Sequence, residues 1–129
     1  MNSKTKGNIT ELAVMLAAIK AGYIVSLPYG DCDKYDQLWD LNGRIIKVQV
    51  KTARQKSKYN NFIFNCYSVA NGKKHKYTKQ DIDYFATIWN DKVYLIPVEE
   101  CSLEKTLWLE TPKELSAARL ALAKDYELK

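Results

Sequence analysis

Asp36, Gln49 and Lys51 are the residues of this chain whose types and spacing could do chemistry together. Two strand-like runs, Tyr35 to Leu41 and Arg44 to Ala53, are joined by Asn42-Gly43, a dipeptide that specifies a two-residue hairpin turn. Counting outward from Leu41 opposite Arg44 pairs Asp40 with Ile45, Leu38 with Lys47 and Asp36 with Gln49. Directly opposed residues share a face, with Cβ atoms about 5 Å apart. Lys51, two residues beyond Gln49, points the same way. A carboxylate, an amide and a lysine thus converge at one hairpin end, while Trp39, Ile46, Val48 and Val50 form an apolar opposite face. Oxygen donors of this kind suit Mg²⁺, which is held by few carboxylates and substrate phosphate. Lys51 would orient or activate a water, or stabilise a pentavalent phosphate. The same residues could also form a structural ion pair, because a buried Asp36 needs a partner.

Glu11 carries two readings as well. Ile9, Leu12, Ala13, Leu16 and Ile19 recur at helical spacing, which predicts a helix over Ile9 to Ala21. Asn8 would be its N-cap and Gly22 its terminator. Glu11 then fits the N-x-x-E capping box and need only close the helix start. It joins the chemistry if that start packs beside the hairpin end.

The remaining elements must position these groups. Tyr23 to Leu27 reads as a short strand closed by Pro28, and Phe62 to Tyr67 as a third long strand. A basic loop surrounds Asn71-Gly72, and Thr78 with Asp81 caps a short helical turn. Tyr84 to Trp89 and Lys92 to Val98 form a second hairpin around Asn90-Asp91. Thr111-Pro112-Lys113-Glu114 predicts a helix running to about Leu122. Asp81 and Asp83 are better explained by capping than by catalysis.

Composition sets the outer limits. The 129 residues suffice for one domain, read as 1–129, with 47% apolar and 27% charged residues, as a folded globule requires. No apolar run reaches the roughly 18 residues of a membrane span, and Met1 to Asn8 lacks a secretory h-region. A cytoplasmic protein with no membrane partner is expected. Cys32, Cys66 and Cys101 are odd in number and widely spaced, which argues against disulfides and zinc, as does the lone His75. The net charge of +5 suits a polyanion. Arg54, Lys56 and Lys58 form one basic group after Lys51, and Lys73, Lys74, His75, Lys76 and Lys79 another. Gln55, Ser57, Asn60 and Asn61 could reach base edges, and Tyr59 and Tyr77 the DNA backbone.

Asp36 followed by Gln49-Val50-Lys51, with Glu11 on a preceding helix after Lys6-Gly7-Asn8, resembles the PD-(D/E)XK nuclease superfamily. Ile46 to Ala53 (I-K-V-Q-V-K-T-A) and Tyr77 with Asp81-Ile82-Asp83-Tyr84-Phe85-Ala86 are similar to a small group containing intron-encoded homing endonucleases. The likeness runs from about Lys6 to Val98. It implies an α/β domain with a restriction-endonuclease-like core, a central mixed β-sheet flanked by helices. It further implies Mg²⁺-dependent hydrolysis of double-stranded DNA, with Mn²⁺ able to substitute. Glu11 and Asp36 would be the acidic metal residues, Gln49 would stand in place of the second acid, and Lys51 would be the motif lysine. Tyr35 replaces the proline that names the motif. Cutting both strands of a duplex from one site per chain requires a homodimer or homotetramer. Other readings are a junction resolvase, a restriction-type enzyme or a non-catalytic DNA-binding protein.

Overall fold

The computed structural model describes residues 1–30, 34–116 and 119–129. A helix, α1 (Ser3–Lys20), opens the chain and starts earlier than its apolar periodicity suggests. Asn2, not Asn8, is the N-cap, its side chain accepting from the Thr5 N–H at 2.8 Å. The capping-box role for Glu11 therefore disappears, because Glu11 lies in the third turn. The helix stops at Gly22 (φ +102°) as expected. The Gly22 N–H returns to the Ile19 carbonyl and the Tyr23 N–H to the Ala18 carbonyl, both at 3.0 Å, a Schellman closure.

The strands β1 (Ile24–Ser26), β2 (Gln37–Leu41) and β3 (Arg44–Val50) follow. Asn42 (φ 55°) and Gly43 (φ 88°) are both left-handed, the type I′ turn that Asn-Gly favours. The register is the expected one, with Leu41 on Arg44, Asp40 on Ile45 and Leu38 on Lys47. The ladder ends at Gln37 opposite Val48, however, so Asp36 and Gln49 do not form a ladder pair.

Downstream come β4 (Asn61–Asn65), β5 (Tyr67–Ala70), β6 (Lys73–Lys76), β7 (Tyr84–Trp89), β8 (Lys92–Pro97) and β9 (Glu104–Trp108). The central sheet has the order β1-β2-β3-β7-β8, with β3 and β7 parallel and the other neighbours antiparallel. It is the mixed sheet the sequence implies. The Asn90-Asp91 turn closes β7 onto β8, again with positive φ at both residues. The long third strand breaks at Cys66 into β4, which pairs with β9, and β5, which pairs with β6. The basic stretch around Asn71-Gly72 is thus a hairpin rather than a loop.

The predicted C-terminal helix does not form among the described residues. Lys113–Leu115 makes a single 3₁₀ turn, and residues 117 and 118 lie outside the described residues. The last segment runs along the sheet edges. Trp108 donates to the Ala121 carbonyl, Leu95 to Tyr126 and Leu128 to Val93, each at 2.8 Å. Ala123 is buried in the second core. Pairing exposed edges and filling that core outweigh helix propensity, which is a weak preference.

Two apolar layers sandwich the sheet. Val14 and Ala18 of α1 pack on Trp39, Ile46, Val48, Val50, Ala86 and Val93. On the far face Phe62, Phe64, Ile82, Phe85, Ile96 and Leu107 pack beneath the β4–β9 pair. The expected flanking helices are therefore one helix and one small sheet. Cys66 and Cys101 are free, buried thiols, and Cys32 lies outside the described residues. No helix among the described residues is long and apolar enough to cross a membrane.

Candidate active site

Polar ties set the height of α1 against the hairpin end. Gln37 donates from Nε2 to the Glu11 carbonyl at 2.9 Å and accepts the Trp39 indole N–H on Oε1 at 2.9 Å. The Thr10 hydroxyl meets the Thr52 hydroxyl at 3.2 Å, linking the preceding residue of α1 to the segment after β3. Together these contacts fix the α1 backbone at Glu11. Gln37→Leu should cost about 1–3 kcal/mol, since it strips the buried Trp39 indole of its acceptor. Chemical denaturation of the variant measures that loss.

Asp36 takes a place at the end of the ladder that counting did not foresee. Its N–H donates to the Val48 carbonyl at 2.8 Å, and its Oδ2 accepts the Val50 N–H at 2.9 Å. The carboxylate thereby satisfies backbone that the broken ladder leaves open. It also shares a hydrogen bond with the Glu11 carboxyl. Burial first, then the Asp36 charge and that hydrogen bond, push Glu11 up to about 7. Burial also raises Asp36, against the opposing pull of the Val50 N–H, Glu11 and Lys51. Two carboxyls in contact share a proton until a cation takes its place.

Gln49 alternates with Val48 and Val50, which face α1, and so points to the opposite side of the sheet. Lys51 follows on that side, its Nζ donating to the Tyr67 carbonyl at 3.0 Å and lying 5.2 Å from the Tyr77 ring centroid. Burial lowers its pKa, partly offset by the Asp36 charge. The site therefore opens between the end of the β2–β3 hairpin and the base of the β5–β6 hairpin. Among the described residues no group of three or more His, Cys, Asp or Glu is placed to hold a metal. The oxygen donors that the structure brings together are the Glu11 and Asp36 carboxyls. Carboxylate oxygens are hard ligands of the kind Mg²⁺ or Mn²⁺ takes, and burial is the main cause of both raised carboxyls.

A family profile described as PD-(D/E)XK endonuclease matches residues 1–129. The chain belongs to this family. Among solved structures the PD-(D/E)XK chain is similar to a bacterial homing endonuclease, I-Ssp6803I, with a TM-score of 0.72 and 27% identity. The likeness covers 98% of this chain and 86% of the other. No curated protein matches. PD-(D/E)XK nucleases are generally divalent-metal dependent, and an endonuclease of this family acts on DNA.

In this PD-(D/E)XK endonuclease the basic residues split into two kinds. Lys73, Lys74 and Lys76 are exposed along β6, and Lys56 and Lys58 are exposed beyond the active-site strand. Arg54 is already engaged, its guanidinium bonding Glu104 and Asn65 at 3.2 Å. The loop amides are also occupied. Gln55 donates to the Ser57 and Tyr59 carbonyls, and Asn61 is buried beside Ser57. Tyr77 is 7% exposed and packed edge-on against Phe85, which places its ring to support Lys51 from within. Asp81 caps Thr78, and Asp83 accepts the Lys47 N–H at 2.8 Å, extending the register of β3 and β7. Gln37, Thr10 and Thr52 were not singled out from the sequence. The signal for Gln37 was present, since alternation puts it on the core face with Trp39.

The Glu11 shift has a measurable consequence for the metal-free protein. Its carboxyl titrates near 7 when folded and near 4.5 when unfolded, so stability is full below 4.5 and falls as pH rises through 7. Glu11→Gln should abolish that fall. With chelator present and above about pH 7, it should gain about 1 kcal/mol after allowance for solvent screening, or roughly 3–5 °C in Tm. At about pH 4 the variant and the parent should melt together.

Proposed function

We propose that this chain is a metal-dependent, site-specific endonuclease of the homing type, hydrolysing phosphodiester bonds in double-stranded DNA. The observation that carries the reading is the Glu11–Asp36 carboxyl pair beside Lys51, pressed together at the end of one hairpin. The name of the I-Ssp6803I neighbour supports the homing type. Glu11, Asp36 and the Gln49 side-chain oxygen would hold Mg²⁺, or Mn²⁺ in its place. A bound divalent cation supplies positive charge against the scissile phosphate.

Lys51 orients the attacking water and stabilises charge on the pentavalent phosphate, its amine fixed by the Tyr67 carbonyl and the Tyr77 ring. The Val50 N–H holds the Asp36 carboxylate in one orientation. Lys56, Lys58, Lys73, Lys74 and Lys76 meet phosphates and set the register on DNA, and Arg54 joins them if DNA displaces Glu104. One site per chain makes the cutting unit a homodimer or homotetramer of the 1–129 domain. The free thiols of Cys66 and Cys101 are consistent with action in the cytoplasm.

Manganese titration followed by electron paramagnetic resonance tests the metal site. Saturable binding that weakens in Glu11→Gln, with cleavage stopped by chelator and restored by Mg²⁺, is the expected result. Cleavage that persists in excess chelator would refute the metal dependence.

A further inference from the structure

Helix α1 is apolar on two opposite sides. Thr10, Val14 and Ala18 are buried against the sheet. On the other side Ile9, Leu12, Leu16 and Ile19 remain 50%, 61%, 54% and 53% exposed. Between Asn8 and Lys20 the helix carries a single charged side chain, Glu11, which is turned to the active site. A helix without a polar outer face is normally buried on both sides, and no described residue covers this one.

The spacing of the open residues is three, four, three, which places them at alternating a and d positions of a heptad. Such a seam fits another helix bearing the same repeat. Within the seam the flanking residues are Asn8, Ala13 and Met15, all uncharged, and only Lys20 flanks its C-terminal end with a charge, so the middle of two such helices can approach without opposing charges. Four half-exposed aliphatic side chains present on the order of 400 Å² of apolar surface, as large as the largest patch a monomer ordinarily leaves open. Doubled across a two-fold axis and extended by its flanks, this reaches about 1,000 Å², the threshold of a specific interface.

We infer that the exposed Ile9, Leu12, Leu16 and Ile19 seam of α1 is the surface on which a second copy of this chain docks, helix against helix. The seam is self-complementary, as an isologous contact requires. Because Glu11 rides on the same helix, pairing fixes two active sites in one rigid body. The inference names a surface for the assembly proposed above, but it stands on the exposed seam and is tested without DNA or metal. Absence of cleavage leaves the seam intact, and loss of the seam removes the assembly surface but leaves the hydrolytic chemistry at Glu11, Asp36 and Lys51 to its own tests.

Sedimentation velocity of the full chain from about 1 to about 100 µM tests it. The parent should sediment as a dimer or larger assembly at the upper end. Leu12→Lys combined with Leu16→Lys should be one association step smaller at every concentration, with unchanged circular dichroism. Both side chains are exposed in the single chain, so the fold does not depend on them. Leu12→Ala with Leu16→Ala, which keeps helix propensity, should raise the dissociation constant at least about tenfold and decides the matter if the lysine variant does not fold. A parent that is monomeric throughout, or a folded variant that associates like the parent, overturns the inference.

Discussion

Lys51→Ala is expected to lower the single-turnover rate of DNA cleavage by about a thousandfold or more while duplex affinity changes less than about tenfold. The separation follows from where the amine lies. It is half-buried, donates to the Tyr67 carbonyl and sits over the Tyr77 ring, so it is kept back from the bulk of the phosphate backbone. The exposed lysines of β6 and of the segment after β3 carry the salt-dependent affinity instead. Lys51→Arg should not restore the rate, because a planar guanidinium cannot occupy the compact place of an ammonium against a ring and a carbonyl. Binding by fluorescence anisotropy alongside quenched-flow cleavage measures both quantities. A loss confined to binding would make Lys51 another phosphate contact and remove it from the chemistry.

Asp36 should show two effects that different substitutions pull apart. Both Asp36→Asn and Asp36→Ala should reduce cleavage by about a thousandfold or more, since either removes the carboxylate that a cation needs. Only Asp36→Ala should also destabilise the fold. Asparagine keeps a side-chain oxygen for the Val50 N–H, whereas alanine leaves that part-buried donor open at a cost of about 1–3 kcal/mol. Urea denaturation of the pair in chelator gives the comparison. Equal stability would mean that the Val50 contact contributes little, and retained cleavage in either variant would exclude Asp36 from the site.

The legible parts of this fold are those set by short-range chemistry. Asn42-Gly43 gave the β2–β3 register and Asn90-Asp91 the second hairpin, because two consecutive left-handed residues leave the chain few alternatives. Asn71-Gly72 makes the same turn, yet Lys73–Lys76 after it is basic and polar throughout, with no apolar alternation, so the same signal reads as a loop. The helix start was misplaced because Ser3 to Asn8 are polar and include Gly7, so apolar periodicity is silent there. The C-terminal helix failed for a tertiary reason, since Trp108, Val93 and Leu95 offer edges that the tail satisfies in extended form.

The site divides along the same line. Asp36 and Lys51 fall near one another because a hairpin and its exit strand suffice to gather them. The contact of Glu11 with Asp36 depends on how α1 lies across the sheet, which Gln37, Thr10 and Thr52 determine. The offset of Asp36 onto the Val50 N–H depends on where the ladder breaks, and no local pattern marks that point.

Sequencing the ends produced from a random duplex library in Mg²⁺, with Lys51→Ala as the control, tests the central claim most directly. Cuts that recur at one sequence and vanish in the variant are the predicted result. Tight duplex binding with no cutting in Mg²⁺ or Mn²⁺, or cuts that persist unchanged in the variant, would contradict it.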